Sequence, residues 1–159
     1  MTVLWSSLAG GFLGTLVLST MLRMASELGV TRMDLPFLLG TSLTDNRRRA
    51  KVYGYALHFL SGLAFAVVYG LCFAAIGRSG WWLGGLFGVL HALFTATVLV
   101  NVLVPVIHPR IGTPETAAHE VALIEPPGFL MLNYGRNTFL VTLAAHVAYG
   151  AIVGWAVRI

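Results

Sequence analysis

The chain has 159 residues, of which 57% are hydrophobic and 10% are charged, against about 25% charged residues in typical soluble domains. This composition excludes an ordinary soluble domain, and the single cysteine, Cys72, excludes an intramolecular disulfide. The net charge of +4 comes from loop residues that set membrane topology, so nucleic acid is not expected as a partner.

Four apolar blocks are long enough to cross a bilayer as helices, because about 20 residues span the ~30 Å of hydrocarbon. Backbone groups in lipid must pair within their own segment, which favours helices over strands. We therefore predict an all-α, polytopic membrane protein, with one membrane domain over residues 1–159 forming a four-transmembrane-helix bundle of two hairpins. The predicted spans cover residues 3–22, 52–76, 82–107 and 138–157.

The first block contains no Lys or Arg before Arg23. A cleavable signal peptide has a basic region ahead of its apolar core. The sequence therefore predicts a first span that is retained in the membrane.

Charged residues are confined to two long loops, at about residues 23–51 and 108–137. These loops hold all six acids and eight of the ten Lys and Arg residues, whereas Arg78 and Arg158 lie on the opposite side. Because Lys-rich and Arg-rich loops stay in the cytoplasm, we predict that both long loops are cytoplasmic and both termini outside. The predicted location is the cell (cytoplasmic) membrane. Aromatic anchors at the outer interface are Trp5, Trp81, Trp82 and Trp155.

Both loops are predicted to hold short interfacial helices. In the first, Asp34 is the N-cap and Gly40 the stop signal. In the second, Thr113 followed by Pro114 is typical of a helix start, and a helix of about ten residues is expected after it. The apolar stretch Phe129–Leu132 is expected to lie in the interface.

Two pairs of similar segments indicate a parallel tandem repeat of two hairpins. The glycine-rich stretch at residues 10–16 resembles residues 84–90. Ala-Leu-His at 56–58 resembles Ala-Ala-His at 144–146, and each is followed by a glycine four residues after the histidine.

Each span carries small residues at intervals of four, which form a flat ridge on one helix face. Such ridges let helix backbones approach closely, and in lipid this packing drives association. We expect a tight bundle whose partners are the lipid bilayer and a membrane protein or second copy joined through these stripes. The stripes are Gly11, Thr15 and Ser19 beside Gly10 and Gly14; Gly54, His58, Gly62, Ala66 and Gly70; Gly84, Gly88, Ala92 and Ala96; and Thr138, Thr142, His146, Gly150 and Gly154.

Three histidines lie inside the spans, where an ionisable residue is a functional candidate. At about 1.5 Å per residue, His58 lies roughly 10 Å above Lys51 and His146 roughly 12–15 Å above Arg136. His91 is expected nearer the outer face. Two interpretations stay open. In the first, the histidines are structural imidazoles bonded across helix interfaces. In the second, they have a chemical role, either as ligands of haem iron or another metal or as proton relays.

The second loop contains a further candidate. Glu115 and His119 lie four residues apart on one face of its predicted helix, and His108 can join them as a metal ligand. The alternative is that these acids are solvated or paired with Arg110 and Arg136.

Several motifs resemble a family of small bacterial four-helix membrane proteins of uncharacterised function. They are Gly14-Thr15, Met21, Met24, Gly29, Met33-Asp34-Leu35-Pro36, Leu39-Gly40, His58, Gly88 to Ala92 with His91, and His146 with Tyr149 and Gly150. The likeness covers most of the chain apart from residues 101–136, which look like an insertion. It implies a four-span fold in the cytoplasmic membrane and no established activity.

The leading interpretation is a small non-catalytic membrane protein, acting as an accessory or structural subunit of a larger complex. Phosphate loops, nucleophile elbows, CxxC and HExxH motifs are absent from the sequence, and no cofactor is predicted. One alternative is a haem- or metal-binding redox protein using His58 and His146. The other is a small proton-coupled transporter using the same histidines.

Overall fold

The structure is a computed structural model, which describes residues 2–108, 111 and 124–159. Within these residues, four helical segments are long and apolar enough to cross a membrane, so the chain is an all-α, multi-pass membrane protein. They are α1 (Val3–Glu27), α3 (Arg47–Ile76), the segment Trp81–Ile107, and α6 (Thr138–Ala156). Two of these helices run past the predicted spans on the side of the long loops, α1 to Glu27 and α3 from Arg47.

The third crossing segment is built from three pieces. It begins as α4 (Trp81–Phe94), continues as a π-helix (Thr95–Leu103) and ends as α5 (Val104–Ile107). The side-chain amide of Asn101 donates hydrogen bonds to the carbonyl oxygens of Ala96 (2.9 Å) and Thr97 (3.2 Å). These bonds satisfy carbonyls inside the apolar segment. A π-helix is rare and often lies at a functional site, and this one was not predicted from the sequence.

The two ends of the bundle differ. The loop face, where the two long loops join the helices, lies opposite the terminal face, which carries both termini and the turn before α4. On the terminal face, the Ser79 hydroxyl donates a 2.7 Å hydrogen bond to the carbonyl oxygen of Val157. The exposed tryptophans of this face are Trp5, Trp81, Trp82 and Trp155.

The stripe on α3 packs against α1. A Cβ atom added at Gly62 would overlap the Thr15 hydroxyl, and one added at Gly70 would overlap the Ser7 hydroxyl. A Cβ atom added at Gly11 would lie 2.5 Å from the methyl group of Ala66. These close approaches confirm that the small residues let α1 and α3 lie backbone to backbone.

The small-residue stripes of α4 and of α1 both pack against α6, from two sides. A Cβ atom at Gly84 of α4 would overlap the carbonyl oxygen of Gly150, and one at Gly88 would overlap that of His146. From the other side, α1 places Gly10 against Ala156 and Gly14 against the ring of Tyr149. The stripes thus join helices of one chain, and large apolar side chains such as Leu60, Leu71 and Leu140 face outward.

The predicted helix of the first loop is present as α2 (Leu35–Gly40), and the Asp34 carboxylate accepts a 3.1 Å hydrogen bond from the backbone N–H of Phe37. This helix lies directly on the start of α3. Side chains at Gly40 and Gly54 would overlap the carbonyl groups of Ala50 and Pro36. The helix predicted after Thr113 and Pro114 lies outside the described residues.

A 3₁₀ helix (Phe129–Tyr134) leads into α6. Leu130 and Met131 have positive φ angles of 52° and 58°. The placement of Phe129–Leu132 in the membrane interface stays a prediction. Within this stretch, Met131 is 1% exposed and accepts a hydrogen bond from the Thr142 hydroxyl at its sulfur. The left-handed turn directs this side chain into the bundle.

Candidate functional site

A cavity of about 90 Å³ lies between the helices, in the half of the bundle nearer the loop face. We call this cavity the histidine chamber, because His58 of α3, His91 of α4 and His146 of α6 all line it. The apolar part of its wall comes from α2, from the π-helix with α5, and from Leu18 of α1 and Phe65 of α3. Its other polar lining residues are Thr15, Ser61, Thr95 and Tyr149. None of the lining residues that the structure describes is an acid, a lysine or an arginine.

Two of the three histidines are direct neighbours. The ring centroids of His91 and His146 lie 4.7 Å apart, with the ring planes at 79°. His91 also stacks on Phe65, whose centroid is 3.9 Å away.

The expectation that His91 lies nearer the outer face is wrong. It lies ten residues after Trp81, and His146 lies ten residues before Ala156, so both are about 15 Å from the terminal face.

The hydrogen bonds of the histidines show which nitrogens remain available. The Nδ1–H of His146 donates a 2.8 Å bond to the carbonyl oxygen of Thr142, which leaves the lone pair of a neutral ring on Nε2. Nε2 of His58 and Nδ1 of His91 are buried without a hydrogen-bond partner among the described residues. The Thr95 hydroxyl is in the same condition.

Buried polar atoms almost always have a hydrogen-bond partner in protein or water. One water needs about 10–15 Å³ of such space, so a chamber of about 90 Å³ has room for several waters or a very small ligand. The structural reading requires imidazoles bonded across a helix interface, whereas the hydrogen bond of His146 lies within α6, to the carbonyl oxygen of Thr142 four residues earlier. The other two imidazoles each have a nitrogen available to a molecule in the chamber.

A second cavity of about 160 Å³ lies at the loop face between α1, α2 and α3. We call it the vestibule. Leu35 and His58 line both cavities. His58 therefore stands between the vestibule and the chamber.

Toward the terminal face, the chamber is closed by four aromatic rings. Tyr69 packs edge-on against Phe87 (5.3 Å between centroids) and against Tyr149 (5.8 Å), and Phe73 packs against Phe87 at 5.1 Å. Tyr69, Phe73 and Tyr149 are all buried. We call these four residues the aromatic layer.

The predicted metal ligands of the second loop cannot be compared as a group, because Glu115 and His119 lie outside the described residues. His108 is 3% exposed, and its Nε2–H donates to the carbonyl oxygen of Leu38 at 2.9 Å and lies 3.2 Å from the Thr41 hydroxyl. It therefore fastens the end of α5 to α2. Among residues 2–108, 111 and 124–159, no three His, Cys, Asp or Glu side chains are grouped so that they hold a metal ion.

The chamber is small for a haem between His58 and His146. Its volume of about 90 Å³ is well below the ~300–1,000 Å³ of sites that take drug-sized ligands. The packing of the bundle therefore does not accommodate a porphyrin at these two residues.

The hydroxyl groups of the chamber were not among the predicted site residues. Thr95 follows His91 by four residues and Tyr149 follows His146 by three, which places each pair on one helix face. That spacing was visible in the sequence. The role of Thr15 was not, because it depends on how α1 sits against α3.

The fold and this site define a four-helix, multi-pass membrane protein with an internal cavity lined by histidines. The chain belongs to the family of unknown function DUF6789, whose model matches residues 1–159. The matched range includes residues 101–136, which the sequence resemblance left out. No curated protein and no solved structure matches the chain.

Proposed function

We propose that the protein carries protons, or a small solute together with protons, across the membrane by way of His58, His91 and His146. One observation supports this most directly. His58 lines both the vestibule and the chamber, and its buried Nε2 has no partner among the described residues. A proton-accepting group thus stands between a cavity at the loop face and the interior of the bundle.

The chemistry of imidazole suits this position. A neutral imidazole holds one proton and one lone pair, so it accepts a proton at one nitrogen and releases one from the other. Beyond His58, the next proton-accepting groups are His91 and His146, whose ring centroids lie 4.7 Å apart. The chamber has room for waters that bridge the three imidazoles. Ionisable residues are costly inside a membrane, and they mark proton and substrate pathways.

Access to the chamber differs on its two sides. The vestibule adjoins it through His58, whereas the aromatic layer closes it toward the terminal face. Alternating access by relative movement of helix bundles opens such a site to one side at a time. In this proposal, transport requires the layer of Tyr69, Phe73, Phe87 and Tyr149 to part. The buried Tyr69 hydroxyl, which has no partner among the described residues, is the next polar group on that route.

We propose that the loop face is cytoplasmic and that the membrane is the cell inner membrane. Support comes from the distribution of eight of the ten Lys and Arg residues to the two long loops. In this orientation the vestibule faces the cytoplasm and both termini lie outside.

The test uses the purified full chain in liposomes that contain a trapped pH-sensitive dye. An imposed pH gradient is expected to collapse faster than in empty liposomes. His58→Gln and His146→Gln are expected to return the rate to that of empty liposomes. His108→Gln is the matched control, because it lies outside the chamber and glutamine keeps a side-chain donor for Leu38. Equal rates in wild-type and empty liposomes would refute the proposal.

A second candidate is an accessory subunit of a larger membrane complex. The aromatic layer favours it, because a protein with a structural role needs no path through the bundle. The small-residue stripes already join helices of the same chain, so a partner would bind the outer apolar surface. Purification from native membranes in mild detergent distinguishes the two candidates: a stoichiometric membrane partner, together with no proton flux from the chain alone, supports the accessory role.

A further inference from the structure

We infer that the vestibule binds a small zwitterion, a solute with one positive and one negative charge, and that this solute accompanies the proton. The inference rests on the proposed function and names its substrate class. The first observation is that the lining of the vestibule contains charged side chains, whereas the part of the chamber lining that the structure describes contains none. The charged lining residues are Arg23, Glu27, Asp34 and Lys51.

These four side chains form two ion pairs on different elements. On α1, Nε of Arg23 lies 2.6 Å from Oε1 of Glu27. Across the cavity, Nζ of Lys51 on α3 lies 3.0 Å from Oδ2 of Asp34, just before α2. The lining therefore presents both signs of charge and no net charge.

Both pairs are half exposed: the side chains of Arg23 and Glu27 are 52% and 59% exposed, and those of Lys51 and Asp34 are 41% and 39% exposed. Exposed pairs contribute little to stability, because solvent screens them and both long side chains lose freedom. Each pair can therefore open and form a new pair with a ligand at small cost.

Two polar atoms of the vestibule lining are buried without a partner among the described residues. They are the Ser19 hydroxyl and Nε2 of His58. A ligand in the vestibule satisfies both by hydrogen bonding. Contact with His58 also places the ligand beside the group that accepts the proton, which links the binding of the two.

The balance of charge selects a zwitterion over a singly charged solute. A lone anion meets Glu27 and Asp34, and a lone cation meets Arg23 and Lys51. A zwitterion pairs with both signs, and discrimination arises from such repulsive groups as well as from attractive ones.

The size of the vestibule sets the size of the solute. A dry cavity of about 150 Å³ holds benzene, which has six non-hydrogen atoms. The vestibule, at about 160 Å³, therefore suits a compact solute of similar size. One wall is firm, because α2 rests on α3 through the close contacts at Gly40 and Gly54, and a preformed wall lowers the entropy lost on binding.

The experiment adds single solutes to proteoliposomes of the full chain with trapped pH dye, and measures their binding to the detergent-purified chain by calorimetry. The zwitterions are alanine, valine and glycine betaine; the controls are choline, a permanent cation, and methanesulfonate, a permanent anion. At least one zwitterion is expected to bind saturably and to accelerate proton uptake. Binding of choline or methanesulfonate as strong as that of the best zwitterion overturns the inference, as does the absence of binding by all three zwitterions.

Charge variants connect the effect to the vestibule. Lys51→Gln and Asp34→Asn are expected to abolish zwitterion binding, and asparagine keeps the N-cap of α2. Arg48→Gln, on the same helix as Lys51 but outside the vestibule, is expected to bind like the wild type. If His58-dependent proton flux persists while no zwitterion binds, this inference fails and the proposed function stands. If zwitterions bind but no proton flux depends on His58, the proposed function fails instead.

Discussion

The phenol oxygen of Tyr149 on α6 lies 2.5 Å from the backbone carbonyl oxygen of Gly62 on α3, to which it donates a hydrogen bond. The ring reaches this position past Gly14 of α1, where an added Cβ would lie 2.9 Å from a ring carbon of Tyr149. Tyr149 thus links the two hairpins by a hydrogen bond, and its ring packs against a glycine of α1. It also lines the histidine chamber and belongs to the aromatic layer.

We expect Tyr149→Phe to destabilise the bundle, because it removes this bond and keeps the ring. Hydrogen bonds between membrane helices average about 0.6 kcal/mol and reach about 1.7 kcal/mol, and the short distance and full burial favour the upper part of that range. Reversible unfolding in mixed detergent micelles measures the change. Tyr53→Phe, at an exposed position of α3, is the matched control. Equal loss in both variants would show that the bond to Gly62 contributes nothing.

Two adjacent glycines of α4 give a sharper test of the helix packing. A methyl group at Gly84 would overlap the carbonyl oxygen of Gly150, whereas one at Gly85 would meet Val147 at an ordinary 3.8 Å. Gly84→Ala is therefore expected to cost about 1–3 kcal/mol, the range for overpacking a tight interior, and Gly85→Ala is expected to be close to neutral. Thermal unfolding in detergent compares them. Equal melting temperatures would contradict the close packing of α4 and α6.

The fold followed from the sequence to the extent that its signals were local. The period of four in the small residues predicted which helix faces pack, and Gly62, Gly84 and Gly150 lie at those contacts. Asp34 and Gly40 predicted α2 correctly because an N-cap and a stop signal act within a few residues. The same patterns did not indicate which helix would pack against each of these faces.

The candidate site depended on relations between helices. Counting residues along single helices placed His58 and His146 at a common depth and missed that His91 and His146 share the same distance from the terminal face. The vestibule was not predicted, because it forms where α2 folds back onto α3. The π-helix had a local signal in Asn101 and Pro105, a polar residue and a residue without an N–H inside an apolar block.

The last prediction concerns Tyr134, which lies outside the membrane-spanning segments. Its hydroxyl donates a 2.7 Å hydrogen bond to the backbone carbonyl oxygen of Glu125. Burial raises the pKa of Tyr134 to about 12; the nearby Glu125 carboxylate adds to the rise, and Arg32 opposes it. An unfolded chain releases the same proton near pH ~10.

Between these two pKa values the folded protein holds a proton that the unfolded chain has lost. The stabilisation is therefore complete below pH ~10 and is lost as the pH rises toward the folded value. Tyr134→Phe cannot titrate, so the free energy of unfolding of the wild type should fall more steeply than that of the variant above pH ~10. Unfolding curves recorded at steps across this range, with Tyr53→Phe as control, measure the difference. Parallel pH profiles for wild type and Tyr134→Phe would show that the phenol is not shielded by the loops.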